Sequence, residues 1–174
     1  KFTIDNVTSD TDMFRYCDKL KGASSYIASD WNKNYANYHT GYFSYGINTV
    51  GDLKTFANKV NGTYTPAEGK TATPYTAICA GLMANITLTD TDNLPAIGSG
   101  GYSGTFDGCG HTISGLYLIN ESTGSYTYVG LFGVTKDSAV ITNLGVVDSY
   151  FAGKFYVGGV CARQSAGTIS NCYN

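Results

Sequence analysis

"SYTYVGLFGV" spans residues 125–134 and "GKFYVGGVCA" spans residues 153–162. Both contain Tyr-Val-Gly, and Tyr128 and Tyr156 stand 28 residues apart. Other apolar positions keep that interval. Ile113, Ile141 and Ile169 are spaced by 28, and so are Leu116, Leu144 and Cys172. Val129 steps to Val157, Gly130 to Gly158 and Phe132 to Val160, while the polar residues between them drift. Self-similarity at a fixed period of this length marks stacked structural units. If each unit is one coil, successive coils lie at the strand spacing of about 4.8 Å and like residues sit above like. Two inward ladders are then expected, Ile113–Ile141–Ile169 and Leu116–Leu144–Cys172, with Gly130 and Gly158 at a recurring corner. The expected fold is all-β, a parallel solenoid of about 28 residues per coil. A hairpin meander ranks second because its spacing would be shorter and less regular.

Composition agrees with a chain of strands and tight turns. The 174 residues are enough for one domain with a real core. Only 14% are charged, so the polar surface falls to Ser, Thr, Asn, 22 Gly and 15 Tyr. A net charge of −2 leaves no basic footprint for nucleic acid or an anionic membrane. The most apolar run, "AICAGLMA" at 77–84, is far shorter than a membrane span, so membrane insertion is not expected. Lys1 opens into "KFTIDNV" without a leader-like segment, which suits a mature form or a fragment. Five cysteines, at 17, 79, 109, 161 and 172, leave at least one unpaired within the chain. With no C-x-x-C and two histidines, a zinc site is not expected.

Three textures divide the chain. Residues 1–46 read as an irregular aromatic-rich cap with one short helix in "SDTDMFRYCDKLKG", where Ser9 or Asp10 caps and Gly22 stops. Residues 47–174 form the second unit, a helix followed by strands. In "NTVGDLKTFANKVNG" a helix is expected over 48–62, capped by Thr49 with Asp52 in its first turn. Its apolar stripe is Leu53, Phe56, Ala57 and Val60, and Gly62 closes it. From about residue 76, "AICAGLMANITLTD" and "YSGTFDGCGHTISGLYLIN" read as strands and turns.

The stretch "YVGLFG...AVITNLGVVDSYFAGKFYVGGV...GTISNCYN" resembles the GLUG repeat family, whose Gly-Leu-any-Gly core is matched by "GLFG" at 130–133. The second copy, "GGVC" at 158–161, has Gly and Cys where that core has Leu and Gly. "INTVGDLKTFANKVNG" is similar to the helix that precedes such repeats, and "FDGCGHTISGLYL" to their first full unit. The resemblance covers about residues 47–174. It implies a right-handed parallel β-helix in a bacterial cell-surface or secreted protein. Such repeats occur in adhesin-like proteins and in non-catalytic regions of secreted immunoglobulin-A peptidases. The family carries no catalytic residues, so none is transferred and no cofactor is implied.

Candidate sites are few. Asp107 and His111 in "FDGCGHT" are spaced for an acid/base pair. Without a third group, a Gly-rich turn whose Asp and His satisfy local backbone is preferred. Asp148, Lys154 and Arg163 would lie on coil faces, but no two acids share the 28-residue step. Asp90, Asp92 and Asn93 in "TDTDNL" offer oxygen ligands, yet a calcium loop needs a tail carboxylate that is missing, so no metal is assigned. Cys172 reads as a small buried hydrophobe. A Cys161–Cys172 disulfide stays open. The sequons at Asn6, Asn61, Asn85 and Asn120 matter only in a glycosylating host.

The binding surface is sought among the aromatics Tyr26, Trp31, Tyr35, Tyr38, Tyr42, Phe43 and Tyr45. Exposed, Trp31, Tyr35, Tyr38, Tyr42 and Tyr45 could stack on sugars or anchor a protein. The plainer reading, capping of the open end of a coil stack, is favoured over it. The functional expectation is a non-enzymatic extracellular or cell-surface module for display, adhesion or head-to-tail assembly. Its partners would be a copy of itself or further repeats at the C-terminal edge, or a host glycan or protein. A spacer in a secreted peptidase or glycosidase, and a carbohydrate-binding or carbohydrate-active β-helix, are the alternatives.

Overall fold

The structure is a computed structural model of the chain and describes residues 45–65, 71–123 and 127–174. Among the described residues it is mostly strand with one short helix, which is all-β in character. β1 (Tyr45–Ile47) leads into α1 (Val50–Asn61), and β2 (Ala80–Leu82), β3 (Ile86–Thr87) and β4 (Thr105–Asp107) follow. Next come β5 (Thr112–Ser114), β6 (Tyr117–Asn120), β7 (Tyr128–Val129), β8 (Phe132–Thr135) and β9 (Val140–Thr142). The last are β10 (Gly145–Val147), β11 (Tyr150–Gly153), β12 (Tyr156–Val157), β13 (Cys161–Gln164) and β14 (Thr168–Ser170).

Helix α1 begins where local chemistry dictates. The Thr49 hydroxyl accepts from the Asp52 N–H at 3.1 Å, and the Asp52 carboxylate accepts from the N–H groups of Thr49 and Asn48. This reciprocal box satisfies donors that an open helix end would leave bare. Gly62 ends the helix at φ 72°, where a side chain would also collide with Pro74. Leu53, Phe56, Ala57 and Val60 are all buried, so the whole apolar stripe faces the core.

Every strand pairing among the described residues is parallel, so the meander reading fails. The main sheet runs β1-β2-β4-β9-β14, and smaller ones run β10-β5-β3, β11-β6, β12-β7 and β13-β8. A parallel pair needs a long connection, and here the intervals along the main sheet are uneven. Tyr45 pairs with Ala80, Ala80 with Phe106, Phe106 with Ile141 and Ile141 with Ile169. These are steps of 35, 26, 35 and 28 residues. The single 28-residue period therefore holds only for the last layer.

This corrects two ladders. Ile113 does not line up with Ile141 and Ile169; it pairs with Ile86 and Val146 in another sheet. Leu116 lies beside Ser149, whose hydroxyl accepts its N–H at 3.1 Å, whereas Leu144 adjoins Cys172 through the Gly145–Tyr173 bridge. An insertion is the cause. Asn120 pairs with Gly153 and Tyr128 with Tyr156, so seven residues separate the upper pair members and two the lower. Those five extra residues turn a 33-residue step into a 28-residue one. Phe132 likewise opposes Cys161 rather than Val160, because the lower strand carries one more residue after Val157.

The core is aromatic at its centre. Phe56 of α1 packs on Tyr45, Tyr102 and Phe106, and Phe132 closes against Tyr102 and Phe106, with centroids 5.1–6.1 Å apart. Tyr102 is fully buried and its hydroxyl donates to the Ile78 carbonyl at 2.9 Å. Burial pushes that phenol well above its ordinary pKa. At one corner Asn143 and Asn171 adopt left-handed φ values of 54° and 50°. The Asn171 amide donates to Asn143, and the Asn143 amide donates to Asp107 at 3.0 Å, so three layers are tied by side chains.

Candidate functional site

The repeated Tyr-Val-Gly holds structure. Val129 pairs with Val157 in parallel register. A Cβ on Gly130 would lie 2.5 Å from the Gly158 carbonyl oxygen, and one on Gly158 would lie 2.3 Å from that of Cys161. Both positions therefore admit only glycine, because the backbone passes too close for any side chain.

Of the expected aromatic surface, Trp31, Tyr35, Tyr38 and Tyr42 lie outside the described residues, as do Tyr26, Phe43, the short helix near residue 10 and Asn6. Tyr45 is a correction. It is 3% exposed, packs on Phe56 at 6.0 Å and carries the Lys59 ammonium 5.6 Å over its ring. Alternation within β1 sends it inward, and burial raises its phenol pKa.

Asp107 and His111 hold different partners. The Asp107 carboxylate accepts from the Cys109 N–H at 2.8 Å and from Asn143, which together lower its pKa. His111 Nδ1 lies 3.2 Å from the Asn85 side-chain oxygen, which also accepts the Thr112 N–H. Asp92 is drawn into an ion pair with Lys54 at 2.8 Å and also accepts from the Thr89 hydroxyl and N–H. These bonds, the Lys54 one foremost, bring its carboxyl down to about 2. Among the described residues no three His, Cys, Asp or Glu side chains converge.

The disulfide left open between Cys161 and Cys172 is not formed; both are free thiols. Cys161 Sγ turns to the Arg163 carbonyl and Cys172 Sγ to that of Ser170. Burial pushes the Cys161 thiol up, which makes it a poorer nucleophile. Asn61 is a clamp: its side chain donates to the Ala96 carbonyl and accepts the N–H groups of Gly98 and Ser99.

Two surface features carry more. One is a tyrosine flank. Tyr117 and Tyr150 pair across β6 and β11, and their rings stack at 5.2 Å and 21°. Tyr128 and Tyr156 stack at 5.2 Å and 22° across β7 and β12. The Arg163 guanidinium lies 5.4 Å from the Tyr156 centroid and donates to the Tyr128 hydroxyl at 3.3 Å. Tyr117 and Tyr150 are more than half exposed. Their 33-residue interval hides from any search at 28, so sequence reading missed this pair.

The other is the outer edge formed by β12, β13 and β14, which have no further partner among the described residues. Val129, Phe132, Ile141 and Leu144 are buried. Their counterparts one layer out, Val157, Cys161, Ile169 and Cys172, are not: Val157 is 42% exposed and the others are partly exposed. Val157 and Ile169 repeat the residues one layer in, while Cys161 and Cys172 stand where that layer has Phe132 and Leu144. For Val157 and Ile169, what differs is a covering strand. Comparisons with protein-family models, with curated proteins and with solved structures each gave no match.

Proposed function

We propose that the chain is a right-handed parallel β-helix of the GLUG type that serves, without catalysis, as an extracellular or cell-surface module for display, adhesion or head-to-tail assembly. The sheet geometry favours this reading: parallel pairings recur in one order through five sheets, as stacked coils require. The observation that carries it is the apolar outer edge at Val157, Cys161, Ile169 and Cys172. An open strand edge is a template for pairing, and a heterologous pairing of this kind propagates instead of closing. Further repeats of the same protein would cover the edge in the same manner as a second copy.

Sedimentation velocity and electron microscopy of the 174-residue chain test assembly directly. Concentration-dependent growth that Ile169→Lys abolishes is the expected result. Uniform monomers at all concentrations would remove assembly and leave the edge to further repeats. The exposed tyrosine pairs favour a second reading, contact with glycans, since phenol faces stack on sugars. A glycan array with Tyr117→Ala and Tyr150→Ala variants checks it: no signal, or binding unchanged in both variants, defeats it.

A further inference from the structure

The layer above β6 and β7 takes a shortcut. Thr87 pairs with Ser114, and Ile97 bridges to Phe132. Between those anchors the upper chain has nine residues, 88–96, where the lower has seventeen, 115–131. The shorter path cannot follow the longer one, so it leaves the upper edges of β6 and β7 uncovered. A groove of about 590 Å³ opens there between residues 88–95 and Leu116–Ile119. It continues into one of about 480 Å³ along Leu118–Asn120 and Thr127–Gly130. Leu94, Pro95, Leu118 and Ile119 line both.

Three details say what fits. Consecutive residues of β6 line the groove, so it runs along the backbone edge; a groove over one face would select alternate residues. The Tyr150 N–H donates to the Leu116 carbonyl at 2.7 Å, which turns Leu116 and Leu118 toward β11. By strand alternation the N–H and C=O groups of Tyr117 and Ile119 point into the groove. Finally, the Thr127 hydroxyl is buried at the second half of the groove without a hydrogen-bond partner among the described residues. A buried orphan hydroxyl of this kind calls for one from outside.

We infer that this groove binds an extended peptide by strand addition, in the place that the shortened layer leaves empty. Strand addition takes its affinity from main-chain hydrogen bonds and its selectivity from pockets for alternate side chains. Tyr117 and Ile119 supply the main-chain groups, the side chains of Pro95, Leu118 and Ile119 the accessible apolar lining, and Thr127 a further bond at the far end. Charge sets the rest. Lys54 neutralises Asp92, but Asp90 on the same wall has no ion pair among the described residues, so the favoured peptide carries a lysine or arginine there. The rings on its lining, Tyr117 and Tyr128, each have one face stacked on Tyr150 or Tyr156, so the strand edge is what the groove chiefly presents. The site goes beyond the assembly reading, because it lies away from the outer edge of β12–β14.

The test is an NMR titration of the whole chain with a synthetic seven-residue peptide that alternates valine and threonine around one lysine. Perturbed amides confined to residues 88–96, 116–120 and 127–130 are expected. Ile119→Pro removes a groove-facing N–H without breaking the β6–β11 ladder, and should weaken binding at least tenfold. Thr127→Val should weaken it severalfold. Asp90→Lys should weaken the lysine peptide and strengthen its glutamate counterpart. Binding unchanged by Ile119→Pro overturns the proposal, and so does a response to cello- or xylo-oligosaccharide with none to peptide. No perturbation at millimolar peptide, or protection of the groove by the chain's own residues, overturns it as well.

Discussion

Ile141 and Ile169 face each other in register on neighbouring strands, yet one is fully buried and the other is not. The same contrast separates Val129 from Val157 and Leu144 from Cys172. In the Ile and Val pairs the inner layer and the outermost layer carry the same residue into different surroundings. Burial here is conferred by the next strand, and the side chains of the last layer are already suited to one. The inner layers differ in a second way, since their pairing steps vary and their spare residues go into α1 and the 121–127 insertion. The outer layer repeats at 28 in β12 and β14, with one extra residue ahead of Cys161.

The strongest test of that contrast is a matched pair of truncations. Phe106→Ala opens a cavity beneath Phe56 and Phe132 and should cost about 3–5 kcal/mol in urea denaturation. Ile169→Ala, with one side uncovered, should cost about 1–2 kcal/mol. Equal losses would mean that the outer edge is covered in solution, and would point to self-association at the concentrations used.

Asparagine substitutions sharpen it at the corner. Asn143→Ala strains a left-handed residue and removes bonds to both Asp107 and Asn171, so a loss of about 1–3 kcal/mol is expected. Asn171→Ala carries the same left-handed strain but removes one bond instead of two, so its loss should be the smaller. A reversed order would show that the corner is anchored from the outer layer. Tyr156→Ala should cost about 0.5–1.5 kcal/mol through its lost stacking, and somewhat less when Arg163 is already alanine.

The smallest effect is a titration. The Asp92 carboxyl sits below its ordinary value of 3.8, at about 2, so the folded state favours its charged form. Its contribution is complete above the ordinary value and is lost as pH falls through about 2. Acid unfolding curves of the native chain and of Asp92→Asn should therefore differ near neutrality and converge in strong acid. Curves that stay parallel throughout would break the assignment to the Lys54 pair.

What sequence could show follows from how local each cause is. The start and end of α1 were legible because Thr49, Asp52 and Gly62 act within a few residues. The Tyr128–Tyr156 and Val129–Val157 register was legible because no insertion falls between those layers. Ile113 misled because the five extra residues before Tyr128 are polar and silent in a search for period, while a chance 28-residue interval linked it to Ile141. Tyr45 looked like surface beside its aromatic neighbours, and only its place in β1 beneath Phe56 turns it inward. The groove was beyond reach for a plainer reason: it exists because nine residues travel where seventeen do below them, which is a difference between two paths that must first be paired.

The stacked phenols also give the molecule an optical voice. Rings 5.2 Å apart and about 20° from parallel couple their electronic transitions, so each pair absorbs polarised light as a unit. Both pairs bridge an inner layer to an outer one. Loss of the outer layer should thus extinguish a near-ultraviolet dichroic band while the buried rings of Tyr45 and Tyr102 keep theirs, and the order in which the layers come apart can be followed without a label.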